Sequence, residues 1–259
     1  QQPRSGRHGN RALHRREPSL DGIDARFGRY SYDAATPIAE GTWEASYWSA
    51  QTALTALAAI LEGSATASFA LCRPPGHHAG ADYLGGYCYL NNAAIAAQHG
   101  RRSGRRFAIL DIDYHHGNGT QDIFYQDPDL LFVSIHADPS TDYPFFWGHA
   151  DEAGEGSGAG KTLNLPLPRG TDLGGYSGAL RTALDAIGAH RPDLLVLSFG
   201  ADTFEDDPIS YFRLRQDDYR EIGRQIAATG LPVLIVMEGG YAIDALGDNV
   251  TALISGFDR

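Results

Sequence analysis

The sequence predicts an α/β fold built on a central parallel sheet with helices on both faces. Three observations carry that reading. Its strand-like runs, such as Phe107-Ala-Ile-Leu110 and residues 193–200, are apolar throughout instead of alternating, as strands buried on both faces are. They alternate along the chain with helical patterns. Each runs out at its C-terminal end into polar or Gly-rich residues, where open α/β sheets bind their ligands.

The elements follow in order. Residues 1–17 are rich in Arg, His, Gly and Gln without apolar periodicity, so residues 1–40 are expected to form a loop or arm. Within 42–62, Ala45, Trp48, Leu54, Leu57, Ala58 and Leu61 recur at helical spacing, with Thr42 as N-cap and Gly63 as stop. Ser68-Phe-Ala-Leu-Cys72 reads as a strand cut off by Arg73-Pro-Pro-Gly76, and His77 and His78 come next. Asn91 or Asn92 caps a helix through Gln98. A strand over 107–113 leads to a helical turn at 120–125 and a strand over 130–136. The Gly-rich stretch 137–160 carries Tyr143-Pro-Phe-Phe-Trp147; a loop that long is functional or disordered, and its aromatics favour function. A helix at 176–190, a strand at 193–200, a helix at 217–229, a strand at 231–238 and a helix at 243–256 complete the pattern. No repeat or linker composition divides the chain, so residues 1–259 read as one domain.

Hydrophobic residues make up 42% of the chain and charged ones 20%, the balance of a soluble globular protein. A formal net charge of -11 argues against a nucleic-acid partner and for a small cationic ligand. No apolar run approaches the roughly 20 residues of a membrane span, and no signal peptide opens the sequence, so no membrane partner is expected. Cys72 and Cys88 make neither a disulfide framework nor a Cys-rich zinc site, which fits the cytoplasm.

Chemistry concentrates in Asp111-Ile-Asp-Tyr-His-His-Gly-Asn-Gly119. Carboxylates and imidazoles this dense beside an apolar strand are costly unless paired or ligated. Asp113, His115 and Asp202 would form an oxygen-rich, His-containing set with an open position, suited to a catalytic zinc or another first-row metal. The tandem His77-His78 would give two differently directed imidazoles, one of them able to move a proton. Tyr241 is a candidate donor to a developing oxyanion. Gly85-Gly86-Tyr87 and Phe145-Phe146-Trp147 would wall a narrow slot.

Arg73-Pro-Pro-Gly-His-His-Ala-Gly80, Gly85-Gly-Tyr-Cys-Tyr-Leu-Asn-Asn92, the Asp111 to Gly119 stretch, Ser198-Phe-Gly-Ala-Asp-Thr203 and Glu238-Gly-Gly-Tyr241 resemble, in order and spacing, successive motifs of the histone deacetylase superfamily. Asp202-Thr-Phe-Glu-Asp-Asp-Pro-Ile-Ser210 and Gly41-Thr-Trp-Glu44 make the chain most similar to its acetylpolyamine amidohydrolases. The resemblance implies an arginase/deacetylase-like three-layer fold and zinc on Asp113, His115 and Asp202. It makes His78 the general base and acid, held by Asn118, and His77 an electrostatic partner oriented by Asp111. Tyr241 would stabilise the oxyanion. Potassium would use Asp111, Asp113, His115, Ser134 and the backbone at Ile135. Tyr87 and Phe146 would flank the substrate chain, and the Gly86 carbonyl would accept its N–H.

Two departures accompany the likeness. The family's first strand has no counterpart before Gln1, so either the chain is a fragment or its sheet lacks that element. The loop leading to Gly41 is acidic in polyamine deacetylases; here it offers Asp21, Asp24 and Asp33, with Asp24 taken as a substrate contact, but Ala34-Ala35 where another acid is expected. The same loop dimerises relatives, which implies a homodimer. The expected activity is zinc-dependent deacetylation of an acetylated amine, foremost an acetylpolyamine. The rivals are an acetyl-lysine protein deacetylase, a binuclear manganese ureohydrolase of arginase type, and an inactive acyl-amine binding protein.

Overall fold

Strand order governs what meets what in this molecule. A computed structural model describes residues 22–258, so the arm at 1–17 and Asp21 lie outside the described residues. The strands are β1 (Ala67–Ala70), β2 (Phe107–Asp111), β3 (Leu131–Ala137), β4 (Thr162–Leu167), β5 (Leu194–Phe199) and β6 (Val233–Met237). They form one sheet in the order β1-β6-β5-β2-β3-β4, with every pair parallel. The helices are α1 (Ile23–Tyr30), α2 (Thr42–Leu61), α3 (Asn92–Gly100), α4 (Asn118–Phe124), α5 (Leu173–His190), α6 (Gln216–Ala227) and α7 (Ile243–Ser255).

Two apolar layers sandwich the sheet. Phe107 and Ile109 of β2 pack with Leu57 and Ile60 of α2 and Ala93, Ala96 and Ala97 of α3. Ala108 and Leu110, pointing to the other side, pack with Leu180 and Ile187 of α5, Ile222 and Ile226 of α6 and Leu253 of α7. Successive strand side chains face opposite ways, so a strand covered on both faces is apolar along most of its length, with Asp111, Ser134, His136 and Ser198 as buried exceptions toward the C-terminal ends. The predicted three-layer α/β architecture is therefore present.

Four local readings are corrected. Residues 22–40 are not all loop, because α1 forms over Ile23–Tyr30. It buries none of its residues, which left no apolar stripe to find; Asp24 at its start and Arg29 at its end suit the helix dipole. β4 was absent from the pattern because it is an edge strand, half-buried and interrupted by Pro166. In α2 the inward face is Ser46, Ser49, Ala50, Ala53, Ala56, Leu57 and Ile60, while Trp48 is 60% exposed. Of its two serines, Ser49 bonds across the face, its Oγ donating to the Pro74 carbonyl and accepting from Asn92 Nδ2, while Ser46 Oγ donates to the Thr42 carbonyl of its own helix. Thr42 is the first helical residue behind a left-handed Gly41, and its Oγ1 accepts the Ala39 N–H.

Asn91 is the cap of α3, its side chain accepting from Ala94 N. No helix among the described residues is long and apolar enough to cross a membrane.

Candidate active site

Because β1, β6, β5 and β2 are neighbours, the residues leaving their C-terminal ends are brought together. Asp111 closes β2, and its Oδ1 accepts the Asp113 N–H at 3.1 Å. The chain then turns so that His115 N–H reaches Asp113 Oδ1 at 2.8 Å. From the adjacent β5, Asp202 arrives on a short 3-10 turn, and its Oδ1 accepts the Tyr114 N–H at 2.9 Å. His115 Nδ1 then lies 2.9 Å from Asp202 Oδ2 and 3.3 Å from Asp113 Oδ1.

Ligand-type atoms of Asp113, His115 and Asp202 all lie within 4.8 Å of one another. Gly200 and Gly239 let the backbone pass: a Cβ at Gly200 would stand 2.1 Å from Asp113 Oδ2, and one at Gly239 2.7 Å from that atom. Burial and then the facing Asp113 push the Asp202 carboxyl up to about 7. Burial pushes the His115 imidazole down, but hydrogen bonds to Asp113 and Asp202 more than offset it and carry it up to about 10. Two buried carboxylates around one imidazole ask for added positive charge, and a divalent cation at the point they share supplies it. The donor set fits zinc with one position left open.

Strand β1 feeds the tandem histidines. His77 Nδ1 is 2.9 Å from Asp111 Oδ2, and His78 Nδ1 is 2.7 Å from Asn118 Oδ1 at the start of α4. Burial pushes both imidazoles down; the carboxylates of Asp111 and Asp113 reverse this for His77 and lift it well above its ordinary value. For His78, the charged neighbours His77 and His115 add to burial and hold it well below. The pair thus splits into one charged and one neutral ring, 4.0 Å apart.

Glu238 fixes that turn. Its Oε2 accepts Gly76 N–H at 2.7 Å and His77 N–H at 3.1 Å, and its Oε1 accepts the Ser198 hydroxyl at 3.0 Å. His77, Cys88 and Glu238 also bring ligand-type atoms within 4.8 Å of one another. These bonds, with those from His77 to Asp111 and from Cys88 Sγ to the Gly86 carbonyl, already satisfy that group.

After Glu238, Gly239 N–H donates to Asp113 Oδ2 at 2.8 Å, and Tyr241 follows. Burial, then the nearby Asp202 and Asp113, raise the Tyr241 phenol far above its ordinary value, so it keeps its proton. Tyr87, 41% exposed, sits edge-on to Tyr241 at 5.9 Å. Gly86 has φ +55°, and a Cβ there would strike the His78 ring.

The comparison with known families follows from this arrangement. A family model described as histone deacetylase domain matches residues 8–257. The chain belongs to the histone deacetylase family. It is 53% identical over 249 residues to acetylpolyamine amidohydrolase 1 of Pseudomonas aeruginosa, an alignment covering 96% of this chain and 72% of that protein. It is 49% identical to acetylpolyamine amidohydrolase of Mycoplana ramosa, over 90% of this chain and 69% of the relative. The crystal structure of acetylpolyamine aminohydrolase from Burkholderia pseudomallei superposes with a TM-score of 0.91 at 48% identity, covering 93% of this chain and 71% of that one. This member of the histone deacetylase family is an enzyme.

Two residues named from the sequence, Phe146 and Asp24, are exposed. Phe146 is 68% exposed and its ring contact is with Trp147 at 6.5 Å. Tyr143, three residues earlier, holds its ring edge-on to His78 at 5.0 Å and to His115 at 6.1 Å. Four aromatics in five residues offered no spacing that singled it out. Asp24 is exposed in the first turn of α1. The acid of that segment at the site is Asp33, whose Oδ2 accepts Gly86 N–H at 2.6 Å and the Tyr143 hydroxyl at 2.9 Å.

Ser134 lies beside Asp111 in the β2–β3 register, and its Oγ is 2.8 Å from His136 Nδ1. His136 therefore turns to Ser134 and to the Gly148 carbonyl, 2.8 Å away. His116 packs on His136 with ring centroids 4.5 Å apart. Both cysteines are free and buried.

Proposed function

We propose that this chain is a zinc-dependent amidohydrolase that removes the acetyl group from a small cationic acetylated amine, with an acetylpolyamine as substrate. The observation that carries the reading is His78, bonded to Asn118 at 2.7 Å and with its ring 6.1 Å from that of His115 in the Asp113, His115 and Asp202 cluster. Relatives about half identical to this chain bear the name acetylpolyamine amidohydrolase. Zinc on Asp113, His115 and Asp202 would supply Lewis acidity that polarises the acyl carbonyl and acidifies the attacking water.

The chain's own residues do the rest. Asn118 Oδ1 accepts from His78 Nδ1, so Nε2 carries the free lone pair, takes the proton of water and returns it to the leaving amine. His77, kept charged by Asp111, adds positive potential beside the developing negative charge. Tyr241 donates its retained proton to the carbonyl oxygen as that charge grows. Tyr87 and Tyr143 flank the aliphatic chain, and the Gly86 carbonyl accepts the amide N–H.

Potassium would lie with Asp111, Asp113, His115, Ser134 and the Ile135 backbone, beneath the zinc ligands. The net charge of -11 favours a cationic substrate over nucleic acid. We place the enzyme in the cytoplasm as a homodimer of single-domain chains, its unpaired cysteines suiting a reducing compartment.

Acetate release from acetylated spermidine, putrescine, cadaverine and acetyl-lysine peptides, with and without chelator, tests this reading. Chelator-sensitive turnover of the acetylpolyamines is expected. Preference for the peptides would make it a protein deacetylase, and zinc and ligand binding without release would make it a binding protein.

A further inference from the structure

The acidic stretch that follows Asp202 contains one carboxylate with an unusual set of partners. Asp207 is 6% exposed, and its Oδ2 accepts the backbone N–H groups of Tyr241 at 2.7 Å and Ala242 at 3.2 Å. Its Oδ1 accepts the Ile209 N–H at 3.1 Å. Asp207 itself is held on a closed loop: its N–H donates to the Phe204 carbonyl, and Phe204 bridges to Leu214. All three N–H groups point at one side chain that touches neither His78 nor the proposed ligand cluster in any of these bonds.

The backbone it grips needs gripping. Tyr241 follows Gly239 and Gly240, and Gly240 has φ +139°, a conformation that L side chains avoid and that gives the segment no rigidity of its own. Gly239 is tied to Asp113 and Ala201. Beyond Gly240, the backbone N–H of the phenol-bearing residue rests on Asp207. A buried carboxylate is costly unless each oxygen is satisfied, so Asp207 and the turn fix each other.

We propose that Asp207 is the positioning residue for Tyr241: it sets the backbone from which the phenol reaches the substrate oxygen, and so acts on turnover through Tyr241 alone. This rests on the amidohydrolase reading above. An Asn at 207 keeps one oxygen and turns an NH2 against either Ile209 N–H or the Tyr241 and Ala242 N–H pair, so it cannot serve both.

The test is a double-mutant cycle on acetate release in the zinc-loaded protein, using Asp207→Asn, Tyr241→Phe and both together. Zinc content and thermal unfolding are measured on each variant. Asp207→Asn is expected to lower kcat by about tenfold or more with KM changed by less than about threefold. In the Tyr241→Phe background the same change is expected to cost nothing further, and zinc content is expected to match the wild type. Multiplying effects, wild-type kcat in Asp207→Asn, or loss of zinc, which would show action through Asp202, overturns the proposal. If Asp207→Asn lacks a cooperative unfolding transition, Asp207→Ser, which retains one acceptor, goes through the same cycle under the same criteria. A folded wild type that releases no acetate from any substrate overturns the amidohydrolase reading itself, an outcome distinct from a cycle that fails in an active enzyme.

Discussion

His78 Nδ1 lies 2.7 Å from Asn118 Oδ1, an amide oxygen, while its neighbour His77 meets the carboxylate of Asp111 at 2.9 Å. The amide fixes the tautomer without adding charge, so His78 stays neutral between His77 and His115. Asn118→Asp would put a negative charge beside that ring and favour its protonated form. A base must be unprotonated to act, so the acid limb of kcat/KM against pH should move upward by about one unit. An unmoved limb would detach His78 from the base role.

Tyr241→Phe removes the one proton this residue can offer while leaving its ring against Tyr87. By comparison with losing a single oxyanion donor, kcat should fall by about a hundredfold or more. Metal analysis of the variant should show zinc retained.

Metal dependence has its own signature. Dialysis against a strong chelator should abolish acetate release, and zinc should restore it. Asp202→Asn should fail to recover, because it removes one of the two carboxylates facing His115 Nδ1. Full activity in chelator would refute the Asp113, His115 and Asp202 site.

Two of the four aromatics of the 137–160 loop, Tyr143 and Phe146, should separate in steady-state kinetics. Tyr143→Ala opens the space beside His78 and should raise KM for an acetylpolyamine by about tenfold, whereas Phe146→Ala should stay within about threefold of wild type. The opposite ranking would restore Phe146 to the slot wall.

Next to Tyr143, Asp142 pins the same loop to the buried Tyr114. Its Oδ1 accepts the Tyr114 hydroxyl at 2.9 Å and its Oδ2 the Arg169 Nε at 2.9 Å. Burial pushes this carboxyl up, but Arg169, Thr141 and Tyr114 outweigh that and leave it below its ordinary value. A folded-state value below the unfolded one gives stability that is present above the unfolded pKa and lost as pH falls through the folded one. The melting temperature of Asp142→Asn should therefore trail the wild type at pH 7. The gap should close as pH drops below about 4.

What the sequence revealed, and what it hid, divides along physical lines. Continuous apolar runs disclosed β2, β3, β5 and β6 because a strand buried on both faces is apolar along most of its length. The edge strand β4 and the exposed helix α1 lack that constraint and stayed hidden. Asp113, His115, Asp202, His77 and His78 were legible because costly groups at strand ends demand an explanation. Asp33, Glu238 and Asp207 act by accepting backbone N–H groups from distant segments. Such pairings depend on tertiary contact, and a lone carboxylate in a loop gives no sign of them. The inward Ser49 of α2 escaped for the same reason.

Asp33 has a consequence for what the enzyme can admit. One carboxylate oxygen accepts both the Gly86 N–H and the Tyr143 hydroxyl, from the two segments proposed to flank the substrate chain. The two segments are thereby yoked, so moving them apart would break one of these bonds. On the proposed reading, a passage tied in this way would sort guests by girth before length, admitting slender unbranched amines over those with substituents near the amide.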